Sequence, residues 1–332
     1  MMNCLRHLAW LSAGAVAALS LTFAPLPGTA HAETASDVRV TLLGTGSPVP
    51  IVNRFGPSIL VEAGPEKLVF DCGRGCPIRL QQKGVRLSDV KLFLTHLHSD
   101  HVNGIVDLWL TGWLAPPWGQ RKSPFVVIGP EGTSNMAAHL EEAFMADIRI
   151  RMADEKLPRD GARFEAKDIT PGTVHEANGV KVTAFEVDHG DVIKPAYGYR
   201  IDYRNRAVVL SGDTRFSQNV IKFGTGADLL VHEVAMAKPE VAQTEAAKRI
   251  LAHHTSPQEA GRVFATAKPR LAVYSHISAA GGAGATAPQA ADYLAATREV
   301  YDGPLEMGED LMTINIGDTV TVERWGANRN SE

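Results

Sequence analysis

The chain has 332 residues, 45% of them apolar and 21% charged, which excludes both a disordered chain and a membrane-embedded bundle. Lys and Arg total 33 against 37 Asp and Glu, a formal charge of -4, so there is no basic surplus of the kind that binds nucleic acid without regard to sequence. The length gives ample apolar material for one large core.

The first 32 residues read as a removable leader. Arg6 supplies a positive start, Leu8–Phe23 is almost wholly apolar, Pro25 and Pro27 break any helix, and Ala30-His31-Ala32 offers a small-x-small cleavage site. The apolar run is short for a spanning helix. The expectation is a periplasmic or secreted protein without a stable membrane anchor, its folded domain running over residues 33–332. Of three cysteines only Cys72 and Cys76 then remain. They stand four apart in a glycine-rich turn, and whether they pair stays open.

Val38–Leu43, Ser58–Glu62 and Lys67–Phe70 read as consecutive strands, rich in β-branched residues and punctuated by Gly and Pro. A helix over Pro77–Lys83 and a buried strand over Lys91–Thr95 follow. Next come helices over Ile105–Trp113 and Ser134–Asp147, on either side of a strand at Phe125–Ile128. Strands at Val180–Val187, Tyr197–Tyr203, Ala207–Leu210 and Leu229–His232 precede a helix over Pro257–Ala267, a strand at Leu271–Ser275 and a helix over Pro288–Val300. Hairpin-like strands followed by strand–helix alternation predict layered sheets with helices outside, in one domain.

Thr95-His96-Leu97-His98-Ser99-Asp100-His101 carries the densest chemistry. It follows an apolar strand and precedes a helix start, so a strand-to-helix turn can bring three imidazoles and a carboxylate together. Those are ligand types that first-row divalent metals accept. A chance polar loop rarely concentrates them in so few positions.

This His-x-His-x-Asp-His pattern resembles the signature of metallo-β-lactamase fold hydrolases. Leu43-Gly44-Thr45-Gly46-Ser47-Pro48 and Phe70-Asp71-Cys72-Gly73 resemble the ribonuclease Z and arylsulfatase branch. So do Asp188-His189-Gly190 with Tyr197-Gly198-Tyr199-Arg200, Ser211-Gly212-Asp213-Thr214, and Ser275-His276, all in family order. The resemblance implies an αββα sandwich and two divalent metal ions, zinc first, with iron or manganese also fitting the ligands. It puts His96, His98 and His189 on the first ion, Asp100, His101 and His276 on the second, and Asp213 between them. Two adjacent cations can share a water and lower its pKa, and can neutralise a centre carrying several oxygens.

A second pair of segments resembles ribonuclease Z more narrowly: Leu230-Val231-His232-Glu233-Val234 and His254-Thr255-Ser256-Pro257-Gln258-Glu259-Ala260. The resemblance implies that Glu233 orients His254, and that His254 stabilises transition-state charge or protonates the leaving group. Asp100 is counted with Glu233 and His254 as catalytic as well as ligating. The alternative for His254 is a helix-start residue with no catalytic part. Asp71 is expected to be a supporting acid behind the ligands, and His139, His175, His232 and His253 are assigned no chemistry.

One departure bears on substrate. Bacterial members that process tRNA carry a long protruding arm before the bridging aspartate, whereas here Tyr199-Arg200 reaches Asp213 through a simple strand-turn-strand. With the acidic charge and the leader, this gives the expectation of a small-molecule ester substrate and no nucleic acid. Trp109, Trp113 and Trp118 fall close together, and Trp118 in particular could form an aromatic wall above the metals suited to an aryl or other apolar ester. The expected function is therefore a dinuclear hydrolase of small sulfate or phosphate esters, with a lactonase or β-lactamase as the alternative. A tRNA 3′-processing endonuclease and an inactive metal-binding protein rank behind these. A homodimer is left open.

Overall fold

β1 (Val38–Gly44) lies inside a sheet rather than at its edge, pairing antiparallel with β14 (Thr313–Ile316) on one side and β2 (Ser58–Ala63) on the other. The structure is a computed structural model that describes residues 36–281 and 287–326. The leader expected at residues 1–32 lies outside them. The first sheet continues through β3 (Glu66–Phe70), β4 (Lys91–Phe93), β5 (Phe125–Gly129) and β6 (Phe164–Asp168), with β15 (Val320–Glu323) beyond β14. The second sheet runs β13-β12-β11-β10-β9-β8-β7. Its strands are β7 (Gly172–Ala177), β8 (Val180–Glu186), β9 (Tyr197–Tyr203), β10 (Arg206–Leu210), β11 (Leu229–Met236), β12 (Leu271–Ala279) and β13 (Leu305–Met307).

Alternation along these strands builds three apolar layers. Between the sheets, Val40, Leu42, Val61, Phe70 and Phe93 pack against Val182, Tyr199, Ile201, Val208 and Val231. The intervening residues face outward under helices. Leu43, Leu60, Val69 and Leu92 meet α1 (Cys76–Gln82) and α3 (Ile105–Trp113), which follows a short turn of helix, α2 (Ser99–Val102). Val209, Leu230 and Ala272 meet α6 (Gln218–Gly224), α9 (Pro257–Ala267) and α10 (Ala290–Arg298). This is the expected αββα sandwich. Among the described residues no helix is long and apolar enough to cross a membrane.

Two local expectations need correction. The helix expected over Ser134–Asp147 is two helices, α4 (Thr133–Ala143) and α5 (Met145–Asp154), because Phe144 leaves the helical region (φ -99°, ψ 10°) and sets its ring edge-on to Trp109 at 6.2 Å. The aromatic wall is not there either. Trp109 and Trp113 are fully buried in the core under α3, and the Trp113 indole N–H donates to Pro158 O. Nine residues of α3, about 13 Å of helix, carry the chain away from the metal loop before Trp118, whose carbonyl accepts from Leu87 N.

Candidate metal centre

The parallel strands of both sheets present their carboxyl ends to one place, the usual location for a site in sheets of this kind. His96, His98, Asp100 and His101 follow β4, and His189 follows β8. Asp213 follows β10, while Glu233 lies within β11. His276 is the extra residue of a bulge in β12, since Glu233 pairs with Ser275 and Val234 with Ile277. Its φ of 43° is a left-handed conformation that a bulge can hold, and it aims the ring at the centre. Gly212 is required beside Asp213: its φ is 60°, and a Cβ there would stand 2.4 Å from Tyr197 O.

Every ligand expected from the sequence is brought together. The ligand atoms of His96, His98 and His189 lie within 4.8 Å of one another, as do those of Asp100, His101 and His276. Asp213 joins the two groups. Its Oδ2 is 3.9 Å from His96 Nε2 and 3.7 Å from His189 Nε2, and also 3.4 Å from His101 Nε2 and 3.2 Å from His276 Nε2. Burial works to raise the Asp213 carboxyl, but the rings of His276 and His101 hold it well below the usual carboxylate range. Asp213 is therefore an anion set among imidazoles.

The residues fit divalent ions on two counts. The buried His101 Nε2 faces Asp213 Oδ2 at 3.4 Å without a well-formed hydrogen bond, which is unusual for a buried ring nitrogen and suits one that would ligate a metal. The opposite ring nitrogens are fixed from behind. His101 Nδ1 lies 2.7 Å from Asp71 Oδ2, and His189 Nδ1 lies 2.9 Å from the carbonyl of His253. Such backing selects the tautomer that offers Nε2 to a metal. Asp71 also accepts from Thr95 N and Thr95 Oγ1, both at 2.8 Å, which ties down the start of the metal loop. Burial lowers the pKa of His189 to about 4, so it presents a neutral ring.

Glu233 and His254 meet beside this centre. Glu233 Oε1 accepts from Thr255 N at 2.9 Å and Thr214 N at 3.3 Å, while Oε2 stands 3.2 Å from His254 Nδ1. Burial and the nearby Asp213 charge push the Glu233 carboxyl up, and burial brings His254 down to about 4. At rest the pair is thus held close to neutrality. His254 is not the start of α9, whose cap is the reciprocal Ser256–Glu259 pair two residues on.

Other histidines divide clearly. His139 is exposed on α4, and His175 lies in β7 with Nε2 3.1 Å from Glu66 Oε2. His232 is fully buried against Phe264, with its Nδ1–H donated to Glu233 O at 2.7 Å. His253 was missed by sequence reasoning: its ring is 5.1 Å from that of His189 and 4.7 Å from that of His254. Adjacency to His254 was the only sign available. Cys72 and Cys76 are both buried, free thiols, and burial together with the neighbouring Cys76 pushes the Cys72 thiol up.

A family model described as "Anti-Pycsar protein Apyc1" matches residues 38–250. Ribonuclease Z of Mycobacterium sp. (strain KMS) is 34% identical over 292 residues, covering 87% of this chain and 100% of that one. Ribonuclease Z of Mycobacterium marinum is 35% identical over 282 residues, covering 84% and 99%. Among solved structures, the metallo-β-lactamase fold protein YhfI of Bacillus subtilis superposes with a TM-score of 0.64 at 19% identity, over 83% of this chain and 98% of that one. Human tRNase Z, short form, does so with 0.62 at 22% identity, over 84% and 99%.

These relatives overturn the expected function and partner. The small sulfate or phosphate ester, and the statement of no nucleic acid, give way to relatives named for a ribonuclease and matched across their full length. A net charge of -4 sums over the whole surface and does not describe the field at a site that gathers cations. The short β9–β10 turn excludes one way of gripping RNA and says nothing against cleaving it. The chain belongs to the Apyc1 and ribonuclease Z family of metallo-β-lactamase fold proteins and is a metal-dependent hydrolase of ester bonds.

Proposed function

We propose that this protein is a ribonuclease of the ribonuclease Z type, cleaving a phosphodiester bond in RNA, with transfer RNA as the substrate class. The observation that supports it is the pairing of two joined ligand clusters with the Glu233–His254 dyad. In this reading His96, His98 and His189 hold one zinc ion, Asp100, His101 and His276 hold the other, and Asp213 serves both. When bound, such ions supply positive charge for a phosphoryl group and acidify water.

The chain's own residues do the rest. Five neutral imidazoles against two carboxylates leave a site loaded with two divalent ions net positive, which suits a phosphodiester and the extra charge of its transition state. Asp71 and the His253 carbonyl lock the ligand rings. Glu233, anchored by two backbone N–H groups, sets Oε2 3.2 Å from His254 Nδ1, and the His254 ring lies beside Asp213 and His276. As negative charge grows on the departing ribose oxygen, a His254 ring proton passes to it while the neutral Glu233 carboxyl beside Nδ1 returns one to the ring, so the pair ends as neutral His254 and a Glu233 carboxylate.

The leader expected at residues 1–32 belongs to the same proposal. It would place the enzyme outside the compartment where tRNA matures, so the test needs more than one RNA. Zinc-loaded protein is incubated with a precursor tRNA bearing a 3′ trailer and with an unstructured RNA. Cleavage that is abolished by a chelator and restored by zinc is expected, with the cut mapped by product length. Failure to cut either RNA with zinc bound would overturn the reading.

A further inference from the structure

His253 and His254 are consecutive, yet both rings turn to the same side. They lie in the turn between α8 (Glu245–Leu251), which follows the short α7 (Pro239–Ala242), and the cap of α9, and their ring centroids are 4.7 Å apart. Their ligand nitrogens and that of His189 all fall within 4.8 Å of one another. The His253 carbonyl is committed to His189, but its half-buried ring has no hydrogen-bond partner among the described residues. His254 is backed by a carboxylate, the arrangement that strengthens a metal-binding imidazole.

We propose that His253 and His254 form a third divalent-cation site on the half-exposed side of the centre, and that zinc bound there inhibits the enzyme by occupying His254. Imidazole nitrogen is a favoured ligand for zinc. His189 lies within reach of both groups, but its single free nitrogen is taken by the first cluster once that is filled. The third ion then has two protein ligands and solvent, so it binds more weakly than the first two. The inhibitory half of the proposal rests on the role given to His254 above; the site itself does not.

The test titrates metal-free full-length protein with zinc against a chromophoric chelator, alongside His253→Ala and His253→Gln, whose folding is checked by Tm. Wild type should take up two ions tightly and a third more weakly, and both variants should lose only the third. At zinc about ten times the third dissociation constant, wild-type RNA cleavage should fall to roughly a tenth of its two-ion rate, while each variant keeps its own two-ion rate. Saturation of wild type at two ions, or a third ion that persists in both variants, overturns the site. A third ion lost in the variants without any inhibition of wild type upholds the site and overturns the role of His254 instead.

Discussion

Asp71 stands behind His101, with Oδ2 2.7 Å from Nδ1, and does so from a left-handed backbone conformation at φ 58°. The same carboxylate takes both donors of Thr95, so one residue sets the ring angle of a ligand and the start of the loop that carries three others. Asp71→Asn cannot accept at both oxygens. Its zinc affinity should fall about 10- to 100-fold, the usual cost of removing a partner behind a metal ligand. Competition with a chelator measures it, and an unchanged affinity would show that packing alone holds His101.

Asp213 touches both ligand groups, so its removal should affect both. Wild type should carry about two ions per chain, as a dinuclear site requires, and Asp213→Ala should carry fewer. Elemental analysis checks this. A single ion in wild type, unaltered by the substitution, would sink the shared-ligand assignment.

His254→Ala should lower kcat for RNA by about a hundredfold or more, the scale of lost general acid catalysis, with metal content unchanged. An aryl phosphodiester used as a probe, whose alcohol departs readily, should lose less. Glu233→Gln should give a milder loss, and the double variant less than the product of the two, because Glu233 acts through His254. Equal losses on both substrates would reassign His254 to substrate binding.

His232 should make the fold sensitive to acid. Burial depresses its pKa to about 4, against about 6.5 in the unfolded chain, so only the unfolded state takes up a proton between those values. Its contribution is complete above pH 6.5 and is lost as pH falls toward 4, amounting to about 2 kcal/mol by pH 5. Urea midpoints of metal-free protein at pH 7.5 and 5 should converge in His232→Gln relative to wild type. An identical pH dependence in both would assign the acid sensitivity to other groups.

The candidate centre was legible in the sequence because four donor side chains are compressed into the six positions from His96 to His101, and the other proposed ligands sit in short motifs at strand ends. The two sheets were legible where strands are β-branched and continuous, as at Val180–Glu186. They were not legible at β13, β14 and β15, which are three or four residues long and owe their form to pairing with distant strands. The break at Phe144 was hidden for a similar reason, since helical propensity runs through it and only the packing of its ring on Trp109 ends α4. His253 was hidden because nothing local says that a turn will swing two neighbouring rings to one side. The substrate was misread from a global charge, which averages away the place where RNA would meet the protein.

The interior position of β1 has a consequence for how the molecule is made. Val38 pairs with Ile316, so the first strand among the described residues to leave the ribosome waits for one of the last. At roughly 5–20 residues per second, that interval is on the order of 15–60 s, during which β1 has only its β2 neighbour and an open edge. The central layer of the sandwich cannot close before the chain is nearly complete. A nascent chain halted after β12 holds the groups of the centre and still lacks the strand that seals it, which leaves a chaperone a long window in which to engage an unfolded chain.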